Sequence, residues 1–177
     1  MKRVHLGALS LALGLLAAPA LGAQAQPTEG IRFGFGVGAT LPMSDYGTGD
    51  KMGYHVLGVL QMPIAASPVH IRVDVLYSQT SHEVGSGNTT LFGSTVDALY
   101  HLGDRAASAR PYILGGLGLY NVDAGGASEA KLAFGFGGGL LFNLSGLNAF
   151  VEARYMSVQT SGSSLTFVPI TVGLMFK

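Results

Sequence analysis

The feature that most constrains this chain is a period of two. From Ile31 the apolar residues Ile31, Phe33, Phe35, Val37, Ala39 and Leu41 alternate with Arg32, Gly34, Gly36, Gly38 and Thr40. Eleven residues of unbroken alternation describe a β-strand with two different faces. Within it, Gly34 to Ala39 spells the G-x-G-x-x-A of a dinucleotide-binding loop. That loop needs a strand before it and a helix after it, whereas Leu41-Pro42-Met43-Ser44-Asp45 follows here. A phosphate cradle also has no reason to hold a period of two.

The pattern recurs. Val69, Ile71, Val73, Val75 and Tyr77 form one apolar series; Leu132, Phe134, Phe136, Leu140 and Phe142 form another; Val168, Ile170, Val172, Leu174 and Phe176 close the chain. Weaker versions occupy Tyr54 to Met62, Phe92 to Leu102, Pro111 to Val122 and Ala149 to Tyr155, giving eight expected strands. Clusters of Gly, Asn, Asp and Ser separate them, among them Ser44 to Asp50, Gly85 to Asn88, Asp123 to Gly126 and Ser161 to Ser164. These are hairpin turns by chemistry, and no connection is long enough to need its own helix, so consecutive antiparallel pairing is the simplest topology. Leu132 to Val151 holds no charge over twenty residues and competes as a spanning helix on length. Its five glycines, with Asn143, Ser145 and Asn148, favour a hairpin instead.

Before the strands, Met1-Lys2-Arg3 leads into the apolar run Val4 to Leu16 and then small residues up to Ala25. This reads as a secretory signal peptide over residues 1–25, cleaved after Ala25 or alternatively after Ala20, ahead of one domain at 26–177. The mature chain would carry eight basic against ten acidic residues, a formal charge of −2. No cluster of Lys and Arg is present to displace counterions from a nucleic acid. The absence of cysteine excludes disulfides, thiolate metal sites and cysteine nucleophiles. Charged residues make up 11% of the chain, against about 25% in typical soluble domains, so an exported chain of this kind has little with which to build a water-soluble surface.

Alternation does not say which face is inside. In a soluble, lipocalin-like barrel the phenylalanines would line a cavity and the strand glycines would face water, weakening the sheet without solubilising it. In the inverted arrangement the glycines line a narrow eight-strand interior and the phenylalanines meet lipid. The charges favour the second: Arg32, Arg72, Asp74, Asp97, Lys131, Glu152 and Arg154 all fall on the non-lipid parity of their strands. A basic residue at mid-membrane on the lipid face would cost about 2–4 kcal/mol. These seven residues are therefore expected to form a lumen charge network that plugs the barrel. Tyr77, Tyr100 and Tyr155 lie on the apolar parity, where an interfacial girdle would place them.

With "RPYILGGLGLY" at Arg110 to Tyr120, "FVEARY" at Phe150 to Tyr155 and "PITVGLMFK" at the end, the chain resembles the small eight-stranded outer-membrane β-barrels of the OmpX or OmpA-membrane-domain type. The resemblance implies an all-β, up-and-down transmembrane barrel in a bacterial outer membrane, in contact with lipid and lipopolysaccharide, monomeric, with both termini periplasmic. It also implies a terminal signal read by the outer-membrane assembly machinery, matched here by Thr171, Gly173 and Phe176, although Lys177 follows the aromatic. The outward loops would be Ser44 to Met52, His82 to Thr89, Asp123 to Ala130 and Val158 to Ser164, all short. Pro169 departs from the pattern and is expected at a bulge or an outer rim, since proline donates nothing to a ladder.

Some barrels of this type are lipid A deacylases or acyltransferases, and the deacylases resemble a His-x-Ser pair on one strand. None of His5, His55, His70, His82 and His101 has serine two positions on. No histidine spacing or Asp-rich loop indicates a metal, and nothing implies a cofactor. The expectation is an integral envelope component with a structural or surface-interaction role and no catalysis. A narrow glycine-lined pore is the alternative, and a soluble ligand-binding barrel a more distant one.

Overall fold

The computed structural model describes residues 30–65, 67–104, 107–123, 129–144, 147–160 and 163–177; the expected signal peptide lies outside them. Eight strands follow one another: β1 Arg32–Met43, β2 Gly53–Pro63, β3 Val69–Ser81, β4 Asn88–His101, β5 Ala109–Asp123, β6 Glu129–Leu144, β7 Leu147–Thr160 and β8 Ser163–Phe176. Each pairs antiparallel with its successor, and β8 returns to β1, closing the barrel. The uncharged stretch Leu132 to Val151 is thus split between two strands of a hairpin.

Strands of 11–16 residues exceed the roughly 9–11 that a tilted strand needs to cross a bilayer core. Closure satisfies the backbone without a free edge. Along each strand the side chains alternate between wall faces. Phe33, Phe35, Val37, Val56, Phe92, Ile113, Leu117, Leu132, Phe136, Val151, Ile170 and Val172 are exposed on the outer surface, as are Tyr77, Tyr100 and Tyr155. Phe176 stacks outside on Phe33 and Phe35 at ring separations of 6.4 and 5.9 Å. A circumferential band of this kind is tolerated in lipid and would aggregate in water.

Two features depart from the sequence pattern. First, the glycine-rich turn after β1 contains a six-residue helix, α1, Ser44–Gly49. It has no side-chain N-cap and contains two glycines, so helix propensity does not produce it. Tertiary anchoring does: Tyr46 is buried and its hydroxyl lies 2.7 Å from Thr80 Oγ1. Second, Pro169 sits at neither a bulge nor a rim. It is the seventh residue of the 14-residue β8, pointing inward and buried. Pairing between β7 and β8 lapses after Ala153↔Ile170 and resumes at Met156↔Phe167 in the same register. The missing N–H therefore leaves a gap of two pairs in that ladder and inserts nothing.

Candidate functional site: a charge network across the lumen

Residues two apart on a strand share a face, which aims Arg72 and Asp74 of β3, Thr95 and Asp97 of β4, and Glu152 and Arg154 of β7 into the interior. In a ring of eight strands, β3 and β7 stand on opposite walls. Their side chains meet in the middle. Arg72 donates Nη1 and Nη2 to Glu152 at 2.6 and 3.2 Å, a two-point grip across the lumen, and its Nε reaches Asp74 at 2.7 Å. Arg154 comes back from β7, donating Nη1 to Asp74 at 2.6 Å and Nη2 to Asp97 at 2.5 Å. Asp74 is thus shared by two guanidiniums. Tyr112 of β5 donates to Glu152 at 2.8 Å and Thr95 to Asp97 at 2.6 Å, closing the two ends of the chain.

Every oxygen of the three carboxylates accepts at least one donor, the condition under which buried ions are tolerated. The Arg72 guanidinium also lies 5.6 Å from the centre of the Phe150 ring. Space for these long side chains comes from inward glycines on β5 and β6. A Cβ at Gly116 would stand 2.6 Å from Asp97 Oδ1, one at Gly137 2.9 Å from Arg154 Cγ, and one at Gly139 2.6 Å from the Tyr112 hydroxyl. The glycines are sockets for neighbouring side chains.

Of the seven charges singled out by parity, the structure brings Arg72, Asp74, Asp97, Glu152 and Arg154 into this chain of contacts. Arg32 and Lys131 share the inward parity but stand near strand ends, Arg32 opposite Gln61 and Lys131 opposite Tyr120. Thr171 and Gly173 also face inward. Thr171 Oγ1 lies 2.9 Å from His55 Nε2, while the Gly173 site is filled by the Phe150 ring.

Parity of the charges alone misses the neutral partners. Thr40 Oγ1 contacts Ser78 Oγ at 2.8 Å and His55 Nδ1 at 3.1 Å; with Thr171 these form a polar layer on the α1 side of the charges. Toward the termini, Gln61 Nε2 lies 3.0 Å from His70 Nδ1 and 3.4 Å from His101 Nε2. His55, His70, His101 and Tyr112 all occupy the inward parity of their strands, and that was the signal available for them. Among the described residues no three of His, Cys, Asp and Glu gather as metal ligands.

Solved structures share this architecture. Neisserial surface protein A superposes with a TM-score of 0.64 at 17% identity, covering 83% of this chain and 96% of that one. The outer membrane enzyme PagL gives 0.57 at 16% identity, with 82% and 98% covered. A major outer membrane protein from Thermus thermophilus gives 0.54 at 12%, with 83% and 99% covered. At such identities the likeness concerns the fold alone. No curated protein matches the sequence. The family model for the outer membrane protein beta-barrel domain matches residues 8–177, and together with the closed eight-strand barrel and its apolar outer band this shows that the chain belongs to that outer-membrane β-barrel family.

Proposed function

We propose that this protein is a closed-lumen structural or surface-interaction component of the outer membrane, neither a channel nor an enzyme. The observation that carries the reading is the Glu152–Arg72–Asp74–Arg154–Asp97 chain, which spans the lumen between opposite walls. An ion passing through would have to break several charge-assisted bonds among side chains that are only 1–6% exposed, and removing one partner of a buried pair costs about 3–5 kcal/mol. On the α1 side of the charges, Leu91, Tyr120, Ala133, Met156, Val158 and Phe167 pack as a buried apolar layer.

The reading extends to topology. Export through residues 1–25, periplasmic termini and assembly guided by Thr171, Gly173 and Phe176 place α1 and the β3–β4 connection outside, with lipid and lipopolysaccharide against the band, around a monomer. The short connections favour a small contact surface. Absence of catalysis is supported by the histidine environments. His55, His70 and His101 are buried in the interior. His82, on the β3–β4 connection, approaches Thr89 at 3.3 Å, but that hydroxyl is buried and donates to Asp50 at 2.6 Å, so no accessible nucleophile results.

Single-channel recording of the purified barrel in planar bilayers tests the closed lumen. The expected trace is flat apart from insertion noise. Steady, voltage-independent openings from a monomer would establish the pore reading instead.

A further inference from the structure

We propose that the Asp50–Thr89–His82 contact is an acid-strengthened latch that holds α1 over the mouth of the barrel. Asp50, at the end of the α1 loop, is 6% exposed and pairs with His82 of the β3–β4 connection through an isolated β-bridge. Backbone bonds from Lys51 N to Ser81 O at 2.8 Å and from Glu83 N to Gly49 O at 2.8 Å lie beside it. Besides the Tyr46–Thr80 anchor, the loop is held here, and the side chains at this second point decide how firmly.

Those side chains are incompletely matched. Asp50 Oδ2 accepts the Thr89 hydroxyl at 2.6 Å, but Oδ1 is buried without any hydrogen-bond donor. The nearest cationic candidate is His82 Nε2, 3.7 Å away, too far for a hydrogen bond. Because the Thr89 proton is committed to Asp50, the 3.3 Å contact between Thr89 Oγ1 and His82 Nε2 requires the imidazole N–H to donate. A relay runs from His82 through Thr89 to the buried carboxylate. Protonating the ring places a full positive charge at the open end of that relay and beside the donorless oxygen. Attraction at this distance in a half-buried site is substantial, and the ring, 31% exposed, can shift to complete the bond.

The other charged groups do not cancel this. Lys51 and Glu83 face each other at 3.8 Å and are well exposed; Asp45 of α1 adds a further negative charge. The strand ends packed against α1 bring none among the described residues: Met43 on β1 and Leu165 and Thr166 on β8 are neutral, as are Asn88 to Thr90 on β4. Tyr46, the buried phenol of α1, stays protonated throughout the acid and neutral range. Burial pushes its pKa up to about 12, with the bond to Thr80 opposing the rise and the Asp50 carboxylate adding to it.

Hydrogen exchange on the full barrel in lipid nanodiscs tests the latch, using protection factors that remove the intrinsic pH dependence of exchange. Amides of residues 46–51 should gain at least about threefold in protection between pH 8 and pH 5.5, with strand amides unchanged. His82→Gln keeps a donor toward Thr89 without the titration and should abolish the gain; Asp50→Asn, which keeps an acceptor for Thr89, should abolish it too. A gain that survives His82→Gln, or protection that falls on acidification of the native barrel, would overturn the proposal.

Discussion

Removing the Arg154 guanidinium tests the cross-lumen brace most directly. Arg154→Met retains most of the side chain's length and deletes its charge. Asp97 then keeps only the Thr95 hydroxyl and Asp74 only Arg72 Nε among the bonds now present. Two guanidiniums against three carboxylates, formally −1, become one against three, or −2. Deleting one partner of a buried ion pair costs about 3–5 kcal/mol, because the remaining charge has already left water, and here two carboxylates are stripped at once. Adding Asp97→Asn restores −1 and leaves Asp74 with Arg72, while the new amide can still accept from Thr95. The double variant should therefore recover at least about 2 kcal/mol of the loss, a coupling well outside additive behaviour. Urea unfolding of the barrel from lipid vesicles, followed by circular dichroism since the chain has no tryptophan, measures both. A loss below about 1 kcal/mol for Arg154→Met, or a double variant no better than the single, would refute the idea that these ions depend on one another.

The same folded-state measurement separates sockets from spacers: Gly137→Ala should lose about 1–3 kcal/mol by overpacking against Arg154 and the β7 backbone, whereas Gly58→Ala, where only Val75 O at 3.9 Å is met, should be neutral or stabilise by up to about 1 kcal/mol. Val172→Arg, on a lipid-facing residue that is 52% exposed, should abolish the compact heat-modifiable band on gels. Thr171→Arg should still give that band but with reduced stability, since it must displace His55 from a filled interior; equal folded yields would mean the faces are misassigned. Tyr46 should ionise near pH 12, because its raised pKa keeps the proton in the closed cap after an unfolded phenol has lost it near 10. The Tyr46 contribution to closure by α1 is accordingly lost as pH rises from about 10 to 12 and is constant below that range. An ultraviolet difference titration of the native barrel against Tyr46→Phe reads this step, and a lost component titrating near 10 would contradict the burial.

Much of the architecture was legible because a two-faced strand has a period that survives in composition. Ile31 to Leu41 and Val69 to Tyr77 display it without interruption, and the turn residues between strands leave no room for crossover helices. Legibility failed where tertiary contact overrides local preference. Nothing in Ser44 to Gly49 recommends a helix; what makes it one is a tyrosine that finds Thr80, more than thirty residues away in sequence. Pro169 misled in the opposite direction. The missing donor is legible from the residue itself, but a long ladder can omit two pairs and keep its register, so the defect needs no bulge.

The site shows a sharper division. Parity alone selects charges that cannot face lipid, but it does not say which of them meet. That depends on strand number, since only in an eight-strand ring does β3 confront β7, bringing residues 72 and 152 together. The inward glycines pose the same problem, because a glycine can open a bore or receive a neighbour. Gly137 lies opposite Arg154 and Gly116 opposite Asp97 in the ladders, so long is set beside short across adjacent strands. The instructive case is Gly116 opposite Gly135, two inward glycines facing each other. If alternation alone shaped the lumen, a hole would pass there. Instead the space is claimed from the flanking strands, by Asp97 of β4 on one side and the Met156 sulfur of β7 on the other. A bore requires short residues on more than two neighbouring strands at one height, and at this height the flanking residues on both sides are long.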